Sequence, residues 1–465
     1  MAKKFIAILL LILMAGFVFV GCGPKEFWEE GSVTAKRSNS ESAEYSSEPA
    51  PRPNPRPIDP SPDSTSDPVP PPNPNQIIVW ADPEDDTVKK AIENFEKKRP
   101  DIKVKIENNA TVDIEALRRA LSSGQAPDIL RMDHVYLTGM GRSGEIVDLN
   151  KYGAKNIAPK FVDSCWDAVS HGGAVYGIPG DATTTALAYN IDMLNASGKS
   201  VSDLKTYDGL KATAKAMKVA SPTKTPITFP FFGAADCWRE NWPVFNFCSW
   251  LWREGGEILS SDLKTAKFNE QAGIDAMSKL VSFATEKLTQ TQYMEADFYK
   301  GNVGMIEMGY WALPSLGMPH GNHIGVTTMP VLKAGVPAYS ILRVFAWGVT
   351  TNKAKTSTKK SEEANQTCFD FLETFLTDDA LQVSWARKNN FFPTTKTAID
   401  NSYFTSNQVL KTFSEQMKVA KSLPGATNWF QIEGALSKAI NDAVSSKNVP
   451  NALNNAANRV NELLK

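Results

Sequence analysis

The chain has 465 residues and carries 50 Lys and Arg against 51 Asp and Glu, a formal net charge of −1. A balance this close to neutral, with only scattered basic runs, argues against nucleic acid as a partner. Four histidines and five cysteines without CxxC, HExxH or His-rich spacing argue against a metal site or a cofactor held by such ligands.

Lys3 and Lys4 precede an apolar run over 5–20, and Gly21-Cys22 follows directly. These are the charged, apolar and small-residue zones of a secretory signal, and the run is shorter than the roughly 20 residues a spanning helix needs. The break at Cys22 resembles a bacterial lipoprotein processing site, although Phe19 stands where such sites usually carry Leu. Residues 1–21 are therefore expected to be a signal peptide and Cys22 the acylated, membrane-anchored first residue of the mature protein. From 22 to 75 the composition turns to Ser and Glu and then to dense proline, including Pro51, Pro53, Pro55, Pro57, Pro60 and Pro62. Proline removes donors and holds the chain extended, so this segment reads as a tether. At about 3.1 Å per residue its proline-rich half would reach several tens of ångströms.

Residues 76–465, about 390 in number, exceed one ordinary core and suit two lobes. Ile77 to Trp80 predicts a buried strand. Asp85 or Asp86 then caps a helix that buries Val88, Ile92 and Phe95 and stops before Pro100. A strand over 103–107, a helix carrying Ile114, Leu117 and Leu121 and closed by Gly124, and a strand from Pro127 to Leu130 complete a β-α-β-α-β order. That order is the grammar of an α/β fold with a mostly parallel sheet, whose ligands sit beyond the carboxyl ends of the strands. The rule points to Asp82 and Glu84 after the first strand and to Asp133 and Tyr136 after the third.

Extended segments at 175–179 and 185–190 are expected to flank a polar crossing at 180–183. Helices are predicted over 203–218, 242–254, 364–375 and 381–388, strands over 304–308 and 345–349, and one helical stretch over 428–465. With Cys22 acylated, four cysteines remain and permit three full pairings; Cys237 and Cys248 are the nearest pair, with buried free thiols as the alternative. Gly198-Lys199-Ser200 is no phosphate loop, because Met193 occupies the place of its first glycine.

Several pieces of the chain carry a resemblance: Ile78-Val79-Trp80, Ala126-Pro127-Asp128-Ile129, Tyr176-Gly177-Ile178-Pro179 with Leu187-Ala188-Tyr189-Asn190, and Gly301-Asn302-Val303-Gly304-Met305 running into Gly309-Tyr310-Trp311. In this order and spacing they are similar to the family 1 extracellular solute-binding proteins, the maltose and maltodextrin-binding type. The resemblance implies a two-lobed periplasmic-binding-protein type II fold with a ligand cleft between the lobes. Lobe 1 would comprise 76–182 and 348–395, and lobe 2 would comprise 183–347 and 396–465. It further implies a monomeric, exported lipoprotein that binds a carbohydrate by hinge closure and passes it to the membrane permeases of an ABC importer. No catalytic residue, metal or cofactor is expected.

A sugar ring offers an apolar C–H face and a rim of hydroxyls, so its site needs flat aromatic rings together with acids, amides or Arg. Trp311 is the first candidate for stacking, because the matching family position faces the cleft. Trp238 with Arg239, in the irregular stretch 233–241, together with Trp347 and Trp429, are further candidates. Trp242, Trp250 and Trp252 read as structural. Asp181, at the expected crossing, joins Asp82, Glu84, Asp133 and Tyr136 as a candidate hydroxyl partner, and Thr183 stands where relatives often place an acid. The rival readings are a binder of a non-sugar solute, a lobe that signals to a sensor, and a lipid-anchored glycoside hydrolase with paired carboxylates.

Overall fold

The computed structural model describes residues 75–108, 114–230, 242–290, 295–313, 323–351 and 361–465, all within one compact unit spanning 70–465. Cys22, the tether, and Trp238, Arg239 and Cys237 lie outside the described residues.

The opening alternation becomes strand β1 (Gln76–Ala81), helix α1 (Asp86–Lys98), strand β2 (Lys103–Asn108), helix α2 (Ile114–Ser123), strand β3 (Ile129–Asp133) and helix α3 (His134–Arg142). β1 pairs in parallel with β2 and β3. Asp85 caps α1 by accepting from the backbone N–H groups of Thr87 at 2.8 Å and Val88 at 3.0 Å, and it also takes Lys388 Nζ at 2.6 Å. An N-cap acid typically contributes about 1 kcal/mol, and this one is buried and ion-paired as well. Asp85→Ala is therefore expected to cost about 2 kcal/mol in chemical denaturation, and a loss below a few tenths would mean the cap is replaced by water. Gly124 ends α2 with φ of 71°, a left-handed turn that favours glycine.

The expected polar crossing at 180–183 is instead the middle of one strand, β4 (Ile178–Asn190). All but one of its residues are buried, so Asp181, Thr183, Thr184 and Thr185 are interior despite their polarity. Chain order continues with strand β5 (Thr225–Thr228), helix α4 (Trp242–Arg253), strand β6 (Val303–Gly309) and strand β7 (Ile324–Thr327). Strand β8 (Ile341–Val349) and helices α5 (Glu362–Leu376) and α6 (Asp379–Asn389) follow. The predicted helix at 203–218 begins later, at Tyr207, where Thr206 accepts from Gly209 N–H. The predicted C-terminal stretch is two helices, α7 (Trp429–Ser446) and α8 (Val449–Leu463). Lys447, at φ of 59°, closes the first, and Pro450 suits the first turn of the second.

The main strand order is β2-β1-β3-β8-β4-β6-β5. β8 runs antiparallel to both β3 and β4, and β4 antiparallel to β6. One hydrophobic core gathers Val79, Phe95, Ile129, Trp347 and Phe371, and a second gathers Ile227, Trp250, Met305, Trp429 and Leu436. β4 and β8 belong to both: Ala182 and Val344 pack in the first core, Leu187 and Ile341 in the second. Within the second, the buried Glu307 of β6 accepts from Thr185 Oγ1 and Asn246 Nδ2, each at 2.9 Å, with Arg253 Nη2 at 3.4 Å, which ties α4 to two strands. Cys165 and Cys248 are buried free thiols, and Cys368 is buried as well.

Candidate functional site

Three neighbouring strands carry charge into an apolar interior. In β3 the sequence Ile-Leu-Arg-Met-Asp places Arg131 and Asp133 two residues apart, and in β8 Ile-Leu-Arg-Val-Phe does the same with Arg343 and Phe345. A spacing of two puts both members on one face of a strand. Register sets Phe345 opposite both Asp133 and Asp181, and Arg343 opposite Thr183.

Two guanidinium–carboxylate pairs flank Phe345. Arg131 donates from Nε at 3.1 Å and Nη2 at 2.8 Å to Asp181 Oδ1, with Nη2 2.6 Å from Oδ2. Arg343 holds Asp133 Oδ2 from Nε at 2.9 Å and Nη2 at 2.8 Å. Burial raises the Asp181 carboxyl above its ordinary value although Arg131 pulls the other way. Burial also opposes the Asp133 charge, but Arg343 and His134 outweigh it and hold that carboxyl well below the usual range. Both pairs use Nε and Nη2, which leaves Nη1 of each arginine outside these bonds.

The rings form a line from this point. Arg131 and Arg343 lie over Phe345 with Cζ 4.3 Å and 4.9 Å from its centroid, within cation–π range. Phe345 stacks on Phe391 at 5.4 Å and 17°, Phe391 meets Trp311 edge-on at 6.2 Å, and Trp311 lies 5.4 Å from Trp242. Arg131, Arg343, Phe345, Phe391, Trp311 and Trp242 are all half-buried, whereas Asp181 and Thr183 beneath them are fully buried. The cluster thus brings aromatic rings and guanidinium groups together where each side chain remains partly open to solvent. Beside it Tyr136 donates to Glu433 Oε2 at 2.7 Å, and Trp429 packs one turn below on α7.

The sequence candidates divide accordingly. Trp311 lies in the aromatic line, and Asp133 and Asp181 lie under it, each committed to an arginine. Thr183 is buried, with Oγ1 lacking a hydrogen-bond partner among the described residues. Asp82 and Glu84 occupy an exposed turn, where Asp82 accepts from Glu84 N–H at 2.9 Å and Glu84 pairs with Lys89. Trp347 is corrected to core: it is 1 % exposed and packs against Phe375 and Trp385, buried under the helices that cover β8 beside its register partner Arg131. Trp429 is likewise almost wholly buried. Trp242, read as structural, is half-buried in the line, while Trp250 and Trp252 are core. Arg131, Arg343, Phe345, Phe391 and Glu433 were missed. The available signal was a lone Arg inside each of two strongly apolar strands, since Arg is almost never buried unpaired.

No group of three or more His, Cys, Asp and Glu side chains among the described residues is placed to hold a metal. Two hydrophobic cores that share β4 and β8 give the two-lobed α/β architecture, and the half-buried rings and guanidinium groups gather beside those shared strands. The chain belongs to the bacterial extracellular solute-binding protein family, whose model matches residues 90–413. It is similar to a putative binding protein of Brucella abortus, 25 % identical over 82 % of this chain and 90 % of that one. The galactooligosaccharide-binding protein of Bacillus subtilis is 22 % identical over 82 % of this chain and 88 % of its own. Among solved structures, a cyclic alpha-maltosyl-1,6-maltose binding protein from Arthrobacter globiformis matches with a TM-score of 0.73 and 21 % identity, covering 84 % of this chain and all of the other.

Proposed function

We propose that this protein is the carbohydrate-binding component of an ABC importer, anchored through Cys22, that closes two lobes over a mono- or oligosaccharide and delivers it unaltered to membrane permeases. The observation that carries this reading is the line Trp242–Trp311–Phe391–Phe345 flanked by Arg131 and Arg343. Rings stack on the C–H face of a pyranose, and a guanidinium already neutralised by a buried acid offers oriented donors to hydroxyls without a large desolvation cost. Its similarity to a galactooligosaccharide-binding protein and to a cyclic alpha-maltosyl-1,6-maltose binding protein supports the same class of ligand. Lobes 76–182 with 348–395 and 183–347 with 396–465 meet at β4 and β8, so hinge bending there would open and close the ring cluster.

Binding should report on itself. A panel of mono- and oligosaccharides is expected to include one that shifts or quenches tryptophan emission and raises the melting temperature. A panel that leaves both unchanged would overturn the carbohydrate reading, and recovery of a shortened product would replace binding by hydrolysis.

A further inference from the structure

One contact joins the two cores through a titratable group. Tyr136 follows β3 and packs against residues of both cores, while Glu433 lies on α7 between Trp429 and Leu436 of the second. The Tyr136 hydroxyl donates to Oε2 at 2.7 Å, Glu433 is only 6 % exposed, and Oε1 has no hydrogen-bond partner among the described residues. An ionised carboxylate held this way is penalised for burial with half its acceptors unused, whereas the neutral acid is not.

The surrounding groups do not repair that penalty. Asp133 at the end of β3 opposes ionisation, Arg343 on β8 and the Tyr136 hydroxyl on α3 favour it, and the Cys248 thiol of α4 is within electrostatic reach. The Trp429 indole N–H faces the carboxyl from its own helix without closing a hydrogen bond of normal geometry. Burial outweighs the rest and raises the Glu433 carboxyl to about 7.

We propose that Tyr136 and Glu433 form a clasp that binds one proton as the lobes meet, so that ligand capture is coupled to proton uptake. The inference rests on the hinge-closing reading above. With the lobes apart, Glu433 faces water and returns toward its ordinary value of 4.5. On closing, the carboxylate takes one proton from solvent to become the acid, and nothing else changes covalently. Closure is then favoured fully below the ordinary carboxylate range, and the advantage is lost as pH rises through about 7, above which the closed form must bury the charge. Within that window ligand affinity should fall by up to about tenfold per pH unit.

Two measurements need no ligand and so stand apart from the sugar panel. Small-angle scattering of the intact protein at pH 5 and pH 8 should give a smaller radius of gyration at the lower pH. Infrared difference spectra should show a carboxylic C=O band present in the compact form and lost in step with the expansion. Both effects should vanish in Glu433→Gln. Tyr136→Phe keeps the acid but removes a donor that favours its charge, so its expansion midpoint should move to higher pH; this variant serves if the glutamine form does not fold. A radius that is the same at both pH values, or an expansion that persists unchanged in Glu433→Gln, would overturn the clasp. A failed sugar panel beside a pH-dependent radius would overturn the ligand class alone.

Discussion

Arg131→Met is expected to destabilise the protein by about 3–5 kcal/mol and to abolish solute binding. Asp181 is 0 % exposed and its carboxylate receives three contacts of 2.6–3.1 Å from this one guanidinium. Removing one partner of a buried pair strands the other charge, which costs far more than the pair itself contributes. The Asp181 carboxyl, already raised by burial, should then rise further. The deficit of the variant should therefore shrink as pH falls and Asp181 becomes neutral. Denaturant midpoints at pH 5 and pH 8 check the sign. The double variant Arg131→Met with Asp181→Asn should regain most of the stability, because the stranded charge is gone, yet it should still fail to bind, because one of the two guanidinium groups over Phe345 is lost. A single variant as stable as the parent would mean that water reaches Asp181 and that the floor of the site is open.

The parts of this chain that were legible are those governed by neighbours in sequence. Asp85 before an apolar repeat, Gly124 after one, and apolar Ile77 to Trp80 each state their structure locally, and β1 to β3 with their helices follow within a residue or two. The strand-end rule leads at β3 to Asp133 and Tyr136, which border the arginines of the cluster, and at β1 to Asp82 and Glu84, which lie in an exposed turn. What escaped was pairing across distance. Arg131 finds Asp181 fifty residues on, and Arg343 finds Asp133 two hundred and ten residues back, through strand register that no local pattern specifies. The same blindness made residues 180–183 look like a break: Asp181 is answered by Arg131 on β3, and Thr184 and Thr185 just beyond by Ile341 on β8 and Glu307 on β6, so the strand continues through them. Tryptophans were the hardest to sort, because a ring that stacks on ligand and a ring that fills a core have the same composition signal.

Trp311 and Trp347 separate those two roles by experiment. Trp311→Ala is expected to leave the fold standing, with a loss of about 1–2 kcal/mol, because the indole is only half-buried, against Trp242, Phe391 and a small cluster that includes Phe298 and Met308. Its binding of sugar should weaken by roughly 10–100-fold, the equivalent of about 1.4–2.8 kcal/mol for a lost stacking face. Trp347→Ala should instead cost about 3–5 kcal/mol in stability, as for any large core aromatic. Gly309 supplies a control that keeps the indole. A Cβ at that position would come within 1.7 Å of the Trp311 ring, so Gly309→Ala must displace the ring from its present plane. If the plane of Trp311 is what a sugar reads, Gly309→Ala should reproduce most of the binding loss, measured by calorimetric titration, with tryptophan content unchanged. If Gly309→Ala binds as the parent does while Trp311→Ala does not, the indole acts through its bulk and the stacking geometry is wrong. If both variants bind normally, the ligand contacts Arg131, Arg343 and Phe345 from the other end of the ring line.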